Sequence, residues 1–178
     1  IHDVEVMETN DFLGDHYDPT KKQLHLSSNV YNTPSVAALG ISAHECGHAV
    51  QHAQAYGWLS FRSAMVPVIN IASTLTQWTL FIGIMLLFFS GSPYVLAIGV
   101  AALALVTFFS FITLPVEFDA SRRALAWLSH TNVTNAQEFP KAKNALNWAA
   151  MTYVVAALAA IVTLMQYIFI YMGSRNRN

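Results

Sequence analysis

Apolar and polar positions follow three different patterns along the chain. From Ile1 to about Asn32 they are mixed, with one short alternating run, Gln23-Leu24-His25-Leu26-Ser27. A period of two puts Leu24 and Leu26 on one face and predicts a half-buried strand. Just upstream, Asp18-Pro19-Thr20-Lys21-Lys22 has turn chemistry. The region is therefore expected to form a single hairpin with one exposed edge. A second pattern starts at Thr33-Pro34-Ser35. Thr33 is suited to cap a helix and Pro34 to fill its first position, where a missing N–H costs nothing. That helix is predicted over about 33–56, through Ala37, Ala38, Ile41, His44, His48 and His52, with Gly57 as its left-handed stop.

The third pattern is continuous apolarity. No Lys, Arg, Asp or Glu occurs between Arg62 and Glu117, nor between Lys143 and Arg175. A crossing needs roughly 20 apolar residues, so the first stretch holds two spans and the second holds one. The predicted spans are 66–89, 94–114 and 148–172. Ser90-Gly91-Ser92-Pro93 makes the first two a helical hairpin, and Trp148, Tyr167 and Tyr171 suit membrane interfaces. A polar loop and helix fill 115–147, and 173–178 is a tail. Segments 1–62 and 115–147 are then two parts of one small polar domain, and the fold class is mainly α and integral to the membrane.

Composition agrees: hydrophobic residues make up 54% and charged residues only 11%, against about 25% charged in soluble domains. A net charge of -1 gives no reason to expect nucleic acid. The lone Cys46 excludes an intrachain disulfide framework. Two crossings return the chain to the side it left, so the 33–56 helix and Glu117 are expected to face one compartment. The 115–147 segment carries Arg122, Arg123, Lys141 and Lys143, while the turn at 90–93 carries no charge. By the positive-inside rule that compartment is the cytoplasm, although Arg175 and Arg177 in the tail count against this orientation.

Candidate chemistry is concentrated in His44-Glu45-Cys46-Gly47-His48. Histidines at i and i+4 stand one turn apart on one helical face and can share one Zn²⁺. Zinc lowers the pKa of a bound water to about 7, and Glu45 is placed to take its proton as the water attacks a peptide carbonyl. Gly47 leaves room for another element to approach the helix. A third donor is needed. His52 continues the i+4 series, but His44 and His52 are separated by about 12 Å of rise and cannot both reach one ion. Glu117 is the better candidate, because it is the first charge after the long uncharged stretch and lies on the same side. Asp119, about 200° round the helix, is the weaker one. Three donors leave a fourth position open, as catalysis requires. Cys46 falls on another face and reads as a small packing residue. Candidates to stabilise the tetrahedral intermediate are His130, Arg122, Arg123 and Tyr153. Asp15, His16 and Asp18 fit a turn better than an ion site.

HECGHAVQHA on a helix, a transmembrane hairpin and then EFDASRRAL together resemble the YugP-like membrane zinc metallopeptidases. DHYDP, QLHLSSNVYN and NALNWAAMTYVVAAL extend the resemblance over nearly the whole chain. It implies a Zn²⁺ cofactor and a further span ahead of Ile1. The layout is more distantly similar to HtpX-like gluzincins, whose Glu-x-x-x-Asp pattern makes Glu117 the ligand and puts Ser121 in place of the aspartate. Asp119 is then a candidate for the outer partner of the histidines. The likeness also implies a gluzincin-like domain in which an edge strand, here Gln23–Ser27 with Leu24, His25 and Leu26, binds the backbone of an extended peptide. The leading expectation, from the motif and the charge pattern together, is a membrane-bound zinc endopeptidase acting on membrane-associated or misfolded polypeptides near the cytoplasmic face. The alternative is a non-catalytic membrane adaptor stabilised by zinc. A transporter is disfavoured because the spans carry no charge to mark a path. Substrate sequence and oligomeric state leave no mark in this pattern.

Overall fold

The computed structural model describes residues 3–10 and 14–175. Arg177 and the end of the predicted tail lie outside the described residues. The chain divides into two compact units that alternate along the sequence, 1–60 with 114–152 and 61–113 with 153–178.

The first unit contains three strands, β1 (Glu5–Thr9), β2 (His16–Asp18) and β3 (Gln23–Ser27). They form one sheet in the order β1-β3-β2. β2 and β3 form the predicted hairpin, antiparallel from His16↔His25 to Asp18↔Gln23. The Asp18 carboxylate holds its turn by accepting from the Thr20 amide at 2.9 Å. The alternation is realised: Leu24 and Leu26 are buried. The exposed edge expected at Leu24, His25 and Leu26 is not. β1 pairs β3 in parallel from Glu5↔Gln23 to Thr9↔Ser27, so β3 is the central strand. β1 went unseen because four of its five residues are exposed, which leaves no in-and-out alternation to detect. A substrate strand would therefore have to add to β1 or β2.

After a short helix α1 (Ser28–Tyr31) comes α2 (Val36–Ala53). Its cap is Ser35 and not Thr33: Ser35 is the last extended residue, and its hydroxyl accepts from the Ala38 amide at 3.1 Å. Nor does α2 run to Gly57. Tyr56 N–H donates to Gln51 O and Ala55 N–H to His52 O, the paired bonds of a Schellman stop. The left-handed residue is Ala55 at φ +50°, and Gly57 opens the next helix.

Three long helices follow, α3 (Gly57–Ser90), α4 (Tyr94–Thr131) and α5 (Glu138–Arg175). Each is long and apolar enough to cross a membrane. The expected break after the second span is absent, because α4 continues through Pro115. Proline deprives one carbonyl of its helical partner, a loss that long membrane helices tolerate. Of the polar loop and helix predicted over 115–147, the loop is confined to 132–137 and the rest is helix. Asn132 ends α4 at φ +52°, and Asn135 caps α5 by accepting from Glu138 N–H while the Glu138 carboxylate accepts from Asn135 N–H, both at 2.9 Å.

In the first unit the core joins Ala43 of α2, Ala124 and Leu128 of α4, and Ala142 and Leu146 of α5. Small residues let these helices approach closely. A methyl group at Gly47 would lie 2.6 Å from the Ala120 carbonyl oxygen, so the element for which Gly47 makes room is α4 itself. In the second unit Leu80 packs on Leu96 and Leu103, with Leu164, Tyr167 and Tyr171 of α5 against them.

Candidate metal centre

α2 places His44 and His48 one turn apart, with ring centroids 4.8 Å apart and planes nearly perpendicular. Packing at Gly47 brings in α4, and Glu117 comes with it. Glu117 Oε2 lies 3.2 Å from His44 Nε2 and 3.6 Å from His48 Nε2. Two donors about 2.0–2.1 Å from one ion at a tetrahedral angle stand about 3.3 Å apart. The donor set therefore fits zinc. Among the described residues these three form the one group with metal-binding geometry.

Each histidine has its other nitrogen occupied. His44 Nδ1 lies 3.1 Å from Ser121 Oγ, so the serine at the fourth position after Glu117 does stand against His44. His48 Nδ1 lies 2.9 Å from Gln51 Oε1. The fully buried Gln51 donates from Nε2 to Val116 O at 2.8 Å and to Asp119 Oδ2 at 3.0 Å. Asp119 thus reaches His48, but not His44, through Gln51. It is held in turn by Arg122 and by Arg123, whose Nε is 2.5 Å away. Gln51 escaped the sequence reading because a neutral amide gives no charge signal; only its spacing, three residues after His48, marks it.

Burial lifts the Glu45 carboxyl above its usual range, although both histidines pull it down. Burial acts on Glu117 in the same sense, but His44 and His48 outweigh it and hold that carboxyl well below the ordinary range. On His48 burial pulls downward, and the Glu117 carboxylate more than offsets it, leaving the imidazole raised.

The remaining candidates separate. His52 meets the Tyr17 hydroxyl at 3.0 Å and takes no part in the donor cluster. His130 is thirteen residues beyond Glu117 on the continuous helix α4, about 20 Å of rise, too far to stabilise an intermediate at the metal. Arg122 and Arg123 pair with Asp119, and Tyr153 belongs to the second unit. Asp18 serves its turn, as the turn reading expected, whereas Asp15 accepts from the Ser27 amide at 2.7 Å, twelve residues on. Cys46 is not a packing residue: it is exposed and borders a cavity of about 460 Å³ lined with Leu24, Leu39, Val50 and Trp127.

Three helices long and apolar enough to span a bilayer thus accompany a His-His-Glu group, on α2 and α4, whose spacing suits a metal ion. The chain belongs to the family described as "Putative neutral zinc metallopeptidase", whose profile matches residues 1–172. Zn²⁺ is the metal this family implies. Over all 178 residues the chain is 38% identical to the "Putative membrane protease YugP" of Bacillus subtilis (strain 168), covering 77% of that protein. No solved structure matches it.

Proposed function

We propose that the chain is a membrane-bound zinc endopeptidase in which His44, His48 and Glu117 hold the metal and Glu45 is the general base. The observation that carries this reading is the spacing of the donors, 3.2 and 3.6 Å around Glu117 Oε2, with the buried Glu45 next to His44. Bound there, zinc supplies the Lewis acidity that makes a water nucleophilic near neutral pH. Glu45 accepts a proton from that attacking water and returns it to the amine that leaves as the peptide C–N bond breaks. Gly47 and Ala120 fix the helix separation, and Ser121 orients the His44 imidazole from its Nδ1 side. Three protein donors suit catalysis; a purely structural zinc in an adaptor is usually closed by four.

The substrate in this proposal is a membrane-associated or misfolded polypeptide presented in extended form at the cytoplasmic face. Between Tyr94 and Glu117, α4 has about 35 Å of rise, enough to clear about 30 Å of hydrocarbon. That supports chemistry at the membrane surface over chemistry at mid-bilayer. The basic residues Arg122, Arg123, Lys141 and Lys143 support the cytoplasmic side.

Glu45→Gln in detergent-solubilised protein tests the assignment. Zinc content should stay at the wild-type level while cleavage of an unfolded, fluorescently quenched protein falls roughly 10²–10⁴-fold. Undiminished cleavage by this variant would sink the mechanism, and absence of cleavage by the zinc-loaded wild type would favour the adaptor.

A further inference from the structure

We propose that Gln51 is a positioning residue that fixes the tautomer and ring orientation of His48 for metal binding, with Asp119 as its anchor. The inference rests on the reading of His44, His48 and Glu117 as zinc donors. A carboxamide can face either way, but here its direction is determined. Val116 O and the Asp119 carboxylate, which Arg122 and Arg123 hold as its ion-pair partners, only accept hydrogen bonds. Both contact the same end of Gln51, which must therefore be the NH₂ group, and its two hydrogens are then used. The oxygen is left facing His48 Nδ1 at 2.9 Å. An oxygen without hydrogens can only accept, so Nδ1 carries the proton. His48 Nε2, on the side of Glu117, then presents a lone pair, the form in which imidazole ligates zinc.

The anchor is held on several sides. Gln51 is fully buried, and the Asp119 side chain is 4% exposed. Arg123 also donates to Gln54 Oε1 at 2.5 Å and lies over the Tyr56 ring at 5.7 Å. One arginine thus ties the end of α2 to the residue that aims Gln51. The sequence Glu117-Phe118-Asp119 sets one α4 residue against the metal histidines and the next acidic residue against their support.

The test uses the full chain in detergent. It reads zinc affinity by competition with a chelating dye, the visible absorption spectrum of the Co²⁺-substituted protein, and the circular dichroism of the metal-free protein. Gln51→Leu removes both acceptor and donors. It should weaken zinc binding 10–100-fold and alter the Co²⁺ bands while leaving metal-free helicity unchanged. The exchange Gln51→Glu with Asp119→Asn reverses the link and keeps an acceptor for His48, though it leaves Val116 O without its donor, and should recover part of the affinity lost in Gln51→Leu. Gln51→Glu alone, which sets two carboxylates together, should not. Wild-type affinity and spectrum in Gln51→Leu would overturn the proposal. If Gln51→Leu does not fold, an exchange variant that binds zinc no better than Gln51→Glu alone overturns it equally. His48→Ala separates the two failures: if wild type binds zinc no more tightly than His48→Ala, the donor assignment itself falls.

Discussion

Where a methyl group at Gly47 would meet the Ala120 carbonyl oxygen at 2.6 Å, neither partner is a flexible side-chain end. Gly47→Ala must move one helix, and the segment of α4 it pushes carries Glu117 and Ser121. The expected result is a folded protein whose zinc affinity falls at least tenfold, read by dye competition. Ser121→Ala removes the partner of His44 Nδ1 without moving a helix. It should cost less, severalfold in the same measurement. His44, Glu45 and His48 were legible because metal and base impose a fixed spacing on one helix. Glu117 was legible because a carboxylate ending a long uncharged stretch is costly unless it has a task. Gln51, an uncharged amide, carried no such mark. The roles suggested for His130 and Cys46 failed for one reason: residue type proposes chemistry, but only the packing of α4 on α2 decides which groups meet.

The ends of α2 allow a test in which neighbouring residues of similar type should behave differently. Ser35→Ala removes the hydroxyl that accepts from Ala38 N–H and should destabilise the helix by about 1 kcal/mol. Thr33→Ala should leave stability unchanged within about 0.5 kcal/mol, as expected away from such a cap. Chemical unfolding of the two variants under the same conditions compares them directly. At the other end Ala55 sits at φ +50°, a conformation that costs an L-residue about 1 kcal/mol or more, so Ala55→Gly should be stabilising. The spans, the hairpin turn and the helix that bears the histidines were readable from periodicity and charge. β1 and the true ends of the helices were not. An exposed strand lacks alternation, and a left-handed alanine is chosen by its surroundings and not by its own preference. Pro115 misled in the same way, since a break that water would enforce is not enforced within a long apolar helix.

Both units take residues from two separate stretches of the chain, and the candidate metal centre illustrates this, with His44 and Glu117 73 residues apart. A metal shared by such distant donors closes a long loop and stabilises the folded state by its binding free energy. Removing zinc with a chelator should therefore speed amide exchange in α2 and in 114–131 while exchange in 61–113 changes little. Orientation can be tested with Cys46, the lone cysteine and an exposed one. A membrane-impermeant maleimide should label it only after the cells are opened if the metal centre is cytoplasmic. The alternating arrangement also sets an order of manufacture. A nascent chain that has released α2 holds His44, Glu45 and His48 but no third donor until α3, the turn at 90–93 and most of α4 have been synthesised. On the proposed reading, a peptidase made in this order lacks its third donor until the second span is complete, and only α5 remains to be inserted once the donor set is whole.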